Sequence, residues 1–490
     1  MKTALHYNTL CIKKKKYIFL VVTLCFLMLY SHSFAQQNPN IISYEQYIAV
    51  ISEKLPQIKN NALQVQKAQN QVEKAKSISD TSVVANGYYA RQKQYTTGKN
   101  LFEPDYNNTY YGYAGIEQII PATGTRISAG AEYESTFVKG TVTLPVTQAM
   151  SVDAYRPSVK ASITQPLLKN AFGFVDKYEK NSALKKLDIQ KLQKLTDDQS
   201  VLNYYKKLFF KWILYQQALE ILKESMDNAQ SLVDSVQRKA KSGLAENDDV
   251  QRAYSSLLNY QAQYTQYEIT YKSLCDELSL YFDKPVAPYT DDLQHIFASV
   301  AQNEFAEVEF EKTRAYLIVA KNIDAVTYAI NVASNSTLPE MNLMVSVARK
   351  NYSNIKSEAL SKLPDTDYSL GFEFRYPLGN HGADAQLYEY ELSLMELQHN
   401  LLIAKNNYYT SLRALIQSLN GYKSIIDTHN KNLQALLSQR QTERKKYEQA
   451  RLDLQYLINT ENNIAMEKLA ILQFQVTLIG CYIDYSDMIQ

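Results

Sequence analysis

No proline interrupts the 118 residues between Pro166 and Pro285, or the 113 that follow Pro377. Proline gathers where strands end and chains turn, so runs this long exclude a β-sandwich, a propeller or a Rossmann array over those stretches and require helix. Glycine usage agrees. Of 14 glycines, eight lie between Gly87 and Gly173 and three between Gly371 and Gly382, in segments rich in Tyr, Ser, Thr and Val. Two short β-prone regions therefore interrupt a helical chain of 490 residues.

The helical stretches carry heptad seams. Val201, Tyr205, Leu208, Trp212, Tyr215, Leu219, Leu222, Met226, Ala229, Val233, Val236 and Ala240 recur at spacings of mainly three and four. The seam stops at Gly243 and restarts with Val250, Ala253, Leu257, Tyr260, Tyr264, Tyr267, Tyr271, Leu274, Leu278 and Tyr281. This pattern predicts helices over 171–242 and 246–283 joined by a tight turn, after a shorter helix over 45–80. The first long helix would extend about 105 Å at 1.5 Å per residue, too long for a globule. Leu412, Leu415, Leu419, Tyr422, Ile426, Leu433 and Leu436 repeat the plan, with a turn near Ala450 to Asp453 and a last helix through Gln490.

Alternation marks the β-prone regions. Leu370, Phe372, Phe374 and Tyr376 alternate with Ser369, Gly371, Glu373 and Arg375, Leu343, Val345 and Val347 alternate with Asn342, Ser346 and Ala348, and Val159, Ala161 and Ile163 alternate with polar neighbours. Such strands approach or reach the roughly 9 to 11 residues that cross a bilayer when tilted. Each of the two regions then enters a long helix through proline-leucine: Gln165-Pro166-Leu167-Leu168-Lys169-Asn170 and, 211 residues later, Tyr376-Pro377-Leu378-Gly379-Asn380. The chain therefore reads as a duplication. One repeat covers 36–284, with strands within 82–166, and the other covers 303–490, with strands at 340–353 and 367–377; 285–302 links them. The first repeat has 43 extra residues, within about 96–155, where Ile127, Ala129, Ala131 and Tyr133 alternate after Gly124 as an additional hairpin. Sequence leaves open whether this hairpin joins a sheet wall or projects beyond it.

Residues 1–35 carry five lysines and no acid, then an apolar run from Tyr17 to Tyr30 and a small-residue end at Ser33-Phe34-Ala35, the pattern of a cleaved signal peptide. Without them 47 basic residues face 50 acidic ones, so the nominal charge of +2 belongs to the leader and no nucleic-acid partner is expected. Cys275 and Cys481 are the cysteines left, expected as isolated thiols within helices. No stretch downstream of the leader reads as a transmembrane helix.

The order helix, strand, strand, long helix, turn, helix, twice over, resembles the TolC family of outer-membrane channels across the whole mature chain. The Pro166-Leu167 and Pro377-Leu378 junctions carry the resemblance, together with the turn Gly243-Leu244-Ala245-Glu246-Asn247-Asp248-Asp249-Val250-Gln251-Arg252-Ala253. It implies a mostly α chain with a transmembrane β-barrel portion. Three copies, four strands from each, would close a 12-stranded barrel in the outer membrane of a Gram-negative bacterium, above a coiled-coil α-barrel in the periplasm. The homotrimer would meet outer-membrane lipid and serve as the exit duct of an efflux or type I secretion system. Its partners would be a periplasmic adaptor (membrane fusion) protein and an inner-membrane transporter of RND or ABC type.

The resemblance also places residues. Gly243, Leu244, Asp248, Val250, Arg451 and Leu452 fall at the adaptor-contacting tip, and Asp249 and Tyr447 fall on the gate carboxylate and the tyrosine that hydrogen-bonds to it. The family's gate arginine falls on Leu452, and its two entrance aspartates fall on Tyr456 and Asn459, so an acidic entrance is not expected; Arg451, Asp248 and Glu448 are candidates to substitute electrostatically. Tyr88, Tyr89, Tyr110, Tyr111, Tyr113 and Tyr133 are candidates for an aromatic girdle.

Catalytic signatures are missing. There is no Gly-x-Ser-x-Gly, His-Glu-x-x-His, P-loop or dinucleotide fingerprint, and His295, His381, His399 and His429 are scattered. Met395 and His399 share a helical face without further ligands, so neither an enzyme nor a cofactor or metal site is expected. The competing readings are a periplasmic coiled-coil adaptor or scaffold without a pore, and a secreted filament.

Overall fold

The computed structural model describes residues 40–93, 102–144, 146–282, 285–449 and 451–490. The expected signal peptide lies outside the described residues. Along the chain come strand β1 (Asn40–Ile42), helices α1 (Tyr44–Lys54) and α2 (Pro56–Ala75), and strands β2 (Ser82–Lys93), β3 (Phe102–Ile120), β4 (Thr125–Leu144) and β5 (Val146–Pro166). Helices α3 (Tyr178–Lys241) and α4 (Asn247–Ser279), strand β6 (Val286–Pro288), and helices α5 (Asp291–Gln302) and α6 (Arg314–Ser336) follow. Strand β7 (Glu340–Lys350), helix α7 (Lys356–Ser361), strand β8 (Asp365–Arg375), and helices α8 (His381–Glu448) and α9 (Leu454–Met488) complete it. The span read as a plain linker thus carries β6 and the 12-residue helix α5.

The chain forms two compact units. One comprises the described residues up to Leu55, Leu202–Glu304 and Ser418–Ile483. Of the seam residues Trp212, Leu222, Val236, Leu278 and Leu419 are fully enclosed, and so are Phe209 and Ile213 beside the seam, with Tyr47, Ile51 and Leu293. β1 pairs in parallel with β6, and the Tyr44 N–H donates to the Asp292 carboxylate at 2.6 Å. α9 is long and apolar enough to cross a membrane by length and composition, which corrects the expectation that no such stretch exists. Within this unit, however, its Leu454, Ile458 and Ala465 pack into a core with Leu222, Val233, Val236 and Leu257. A helix that serves a heptad seam on two sides needs apolar residues most of the way round. Cys275 and Cys481 are half-buried, and neither is in a disulfide.

The other unit comprises Pro56–Val201, Phe305–Gln417 and Asp484–Gln490. It is organised by a six-stranded antiparallel sheet in the order β2-β3-β4-β5-β7-β8. The additional hairpin is part of this sheet, since β3 pairs with β2 and β4 pairs with β5 along their lengths. Four strands per chain is therefore corrected to six, and three copies would not make a 12-stranded wall. The cause is the added stretch itself. Its dyad alternation matches both neighbours, so pairing satisfies backbone groups that a projecting hairpin would leave to solvent.

The two sheet faces differ sharply. Val83, Ile116, Ala129, Ala161, Val347 and Tyr368 form one cross-strand row, whereas the adjacent row on the opposite face is Ser82, Glu117, Ser128, Ser162, Ser346 and Ser369. On the polar face hydroxyls bond across strands (Ser128 to Ser162 and Ser346 to Ser369, both 2.6 Å), and Arg156 pairs with Glu134 at 2.7 Å. On the apolar face Val83 and Tyr368 are each 82% exposed and Leu370 is 77% exposed. The suggested aromatic girdle divides between the faces. Tyr89, Tyr110 and Tyr133 share the apolar face, whereas the register puts Tyr88, Tyr111 and Tyr113 on the polar one, where the Tyr113 ring covers Gly115 and Gly130.

Pro166 ends β5, and the Leu167 N–H donates to the Met341 carbonyl at 2.7 Å. Asn170 then turns with φ 64°, its side chain accepting the Val175 and Asp176 N–H groups before α3 begins. Pro377 and Leu378 follow β8, and Asn380, also at positive φ, donates to the Thr337 carbonyl at 3.1 Å. The first junction also locks the β3–β4 turn. Gly173 has φ 66°, and a Cβ there would sit 1.8 Å from the Pro121 carbonyl oxygen. Gly173→Ala is expected to cost at least about 1–2 kcal/mol from the left-handed backbone alone and to lower the thermal midpoint in circular dichroism. Gly112→Ala, with open space around its Cβ, is expected to leave it unchanged.

Candidate functional site

The α3–α4 turn is written into the sequence by Gly243. α3 ends at Lys241; Gly243 takes φ 73°, and the Leu244 N–H reaches back to the Lys239 carbonyl at 2.8 Å, a glycine C-terminal cap. Leu244 is left 78% exposed at the turn. Asp249 sits in the first turn of α4, where a carboxylate is favoured by the helix dipole, and its side chain accepts the Glu246 N–H at 3.4 Å.

The α8–α9 turn lies beside it in the same unit. Asp453 caps α9 by accepting the Gln455 N–H at 2.7 Å. Arg252 joins the two turns: it hydrogen-bonds Asp248 and lies 3.8 Å from Asp249 and 3.9 Å from Asp453. Tyr447, near the end of α8, packs against the core formed by Leu222, Val236, Leu257 and Leu454. The Lys239 ammonium stands 3.8 Å from the centre of its ring. Burial, followed by the Asp249 and Asp453 charges, pushes the Tyr447 phenol above the ordinary tyrosine value.

Asp249 and Tyr447 are therefore neighbours at the paired turns, without a hydrogen bond between them. Val250 packs on the same core, which also takes Ala245. Arg451 donates to Gln449 at 3.3 Å, and Glu448 faces Arg444 at 3.6 Å, while Asp248 serves Arg252. The three candidates for an electrostatic substitute thus engage three different partners. Tyr456 is exposed, and Asn459 accepts from Gln455 at 2.8 Å. Sequence reasoning did not single out Arg252, Lys239 or Asp453. Arg252 was findable, since it stands three and four residues after two aspartates on one helix; Lys239 and Asp453 come close only through the packing of the turns. Among the described residues no three His, Cys, Asp or Glu side chains group as a metal site.

No family model and no curated relative matches the sequence. Solved structures do match. CusC, whose structures follow conformational changes accompanying folding and transmembrane channel formation, superposes with a TM-score of 0.67 at 12% identity over 93% of this chain and 95% of its own. The outer-membrane protein VceC from Vibrio cholerae gives 0.64 at 9% identity over 91% and 96%. The open state of the Neisseria gonorrhoeae MtrE outer-membrane channel gives 0.63 at 12% identity over 91% and 88%. This is the TolC-like channel fold.

Each of these matches covers at least 91% of this chain, so the paired turns are elements of the shared fold and not an appendage. The perturbed phenol yields a test. Its folded pKa is raised above the unfolded value near 10, so its contribution to stability is fully present below that pH and is lost as pH climbs through the folded value. The ultraviolet titration of wild type minus Tyr447→Phe is expected to show a phenolate appearing above the free-tyrosine range. Titration at or below that range would contradict burial beside two carboxylates.

Proposed function

We propose that this chain forms a homotrimeric channel in the outer membrane of a Gram-negative bacterium, its helices reaching into the periplasm. The channel is the exit duct of a tripartite efflux or type I secretion system. The observation that carries this reading is the one-sided sheet, apolar on one face and polar on the other, joined through Pro166-Leu167 and Pro377-Leu378 to long paired helices in a channel fold. An apolar face of this extent needs lipid or a partner, and an open sheet edge in hydrocarbon leaves backbone groups unpaired at several kcal/mol each. Neither an adaptor nor a filament needs such a sheet, which disfavours the pore-free alternatives.

In this reading Gly243, Leu244, Asp248, Val250, Arg451 and Leu452 lie at the surface that meets the periplasmic adaptor, and an inner-membrane transporter of RND or ABC type supplies the energy. Asp249 and Tyr447 form the gate. Arg252 is added to them, because its cation lies near carboxylates on both turns and opposes their separation. Exposed ion pairs are individually weak, and a cluster of them across two turns biases a two-state tip without locking it. Asp249→Ala, Tyr447→Phe and the double variant, reconstituted in planar bilayers, are expected to raise single-channel conductance or open probability over wild type. Unchanged conductance in all three would remove the gate, and absence of any trimer in outer-membrane fractions run unheated in detergent would remove the duct.

A further inference from the structure

Among the described residues the two free edges of the sheet are β2 and β8. They match each other in length, direction and face. β2 has 12 residues and β8 has 11, and six alternating strands leave them antiparallel to one another. Opposed along their whole lengths, Ser82 faces Arg375 and Gln92 faces Asp365. That register sets Val83 on Phe374, Ala85 on Phe372, Gly87 on Leu370 and Tyr89 on Tyr368 across the apolar face. On the polar face it sets Asn86 on Gly371, Tyr88 on Ser369 and Ala90 on Asp367. A slip of one residue would turn every apolar side chain to the wrong side.

The sheet itself supplies an independent check. The row from Val83 to Tyr368 runs straight across all six strands, yet its distance from their helix-side ends grows. It lies one residue from that end in β2, four in β3 and β4, five in β5, and seven in β7 and β8. The strands are therefore staggered progressively in one direction. Closing Val83 onto Phe374 rather than Tyr368 takes up six residues (374 − 368), about 20 Å of strand, over six strand spacings, about 29 Å. The resulting tilt of about 35° meets the 35–45° of closed barrels. A register shorter by two residues gives about 24°, outside that range, and a longer one brings Pro377, which has no N–H, into the ladder.

We propose that β2 of one copy pairs with β8 of the next in this register, so that three copies close an 18-stranded pore in which the β3–β4 hairpin is part of the wall. The number of copies rests on the trimer proposed above; the edge pairing does not. No single chain holds the pore, because its lumen is complete only when the polar rows of successive copies join. Barrel diameter grows roughly linearly with strand number, so this pore is about 1.5 times as wide as one of 12 strands.

Tyr88→Cys and Ser369→Cys in one chain, with the other cysteines replaced by serine, place the two thiols on the polar face at the proposed seam. Oxidation or a short bis-thiol reagent is expected to give a covalent trimer on denaturing gels, whereas each single variant stays monomeric there. Ser128→Cys, on the added hairpin, is expected to bring single-channel conductance under control of a membrane-impermeant charged thiol reagent. A trimer in unheated gels that fails to crosslink overturns the edge pairing while leaving the duct standing. A crosslinked trimer whose Ser128→Cys conductance ignores the reagent overturns the 18-stranded wall. A protein that is monomeric throughout overturns both.

Discussion

Backbone pairing at the margins of the sheet is the constraint on which the rest depends. Each strand between β2 and β8 has a neighbour on each side over at least part of its length, whereas among the described residues no strand pairs with the outer side of β2 or of β8. Water tolerates such flanks and hydrocarbon does not. On the apolar face Val83, Ile116, Val345, Leu370 and Phe374 stay exposed among the described residues. In the proposed duct, burial of that face and closure of those edges are one event: lipid removes the face from water, and the edges must then find each other.

The helical part solves a different problem. Long helices with narrow apolar stripes are stabilised by neighbours, and Trp212, Leu222, Val233, Val236, Leu257 and Leu454 supply the contacts. Gly243 reverses the chain in a few residues, and Asp453 caps the helix that follows the other turn. The two turns thus bring one cation, Arg252, near three carboxylates and a lysine onto the face of a half-buried tyrosine. Tyr447 rests on the core, while the Arg252 ion pairs that span the turns are solvent-exposed, the kind of contact that two conformations can exchange at small cost.

Much of this was legible in the residues. The proline-free stretches and the heptads of Trp212, Leu222, Val236 and Leu257 required paired helices, and those side chains are buried. The alternation of Phe372 and Phe374 with Glu373 and Arg375 required a two-faced strand. The added hairpin showed in Ile127, Ala129 and Ala131, but its destination did not, because dyad alternation says that a strand has two faces and not which strand lies beside it. The tyrosines misled for a related reason. Tyr88 and Tyr89 are adjacent in sequence and therefore point to opposite faces, so an aromatic cluster along the chain became half apolar facing and half polar.

By itself the sequence determined the periods: 3.5 residues where helices pair and 2 where strands run, with proline, asparagine and glycine at the changes between them. These are local consequences of backbone geometry, and each residue carries its own part of the signal. Tertiary structure alone decided that six strands rather than four share one sheet, that Arg252 draws both turns together, and that the row from Val83 climbs to Tyr368. Those facts belong to pairs of residues far apart in the chain, and which pairs form depends on hydrogen bonds that all strands must satisfy at once.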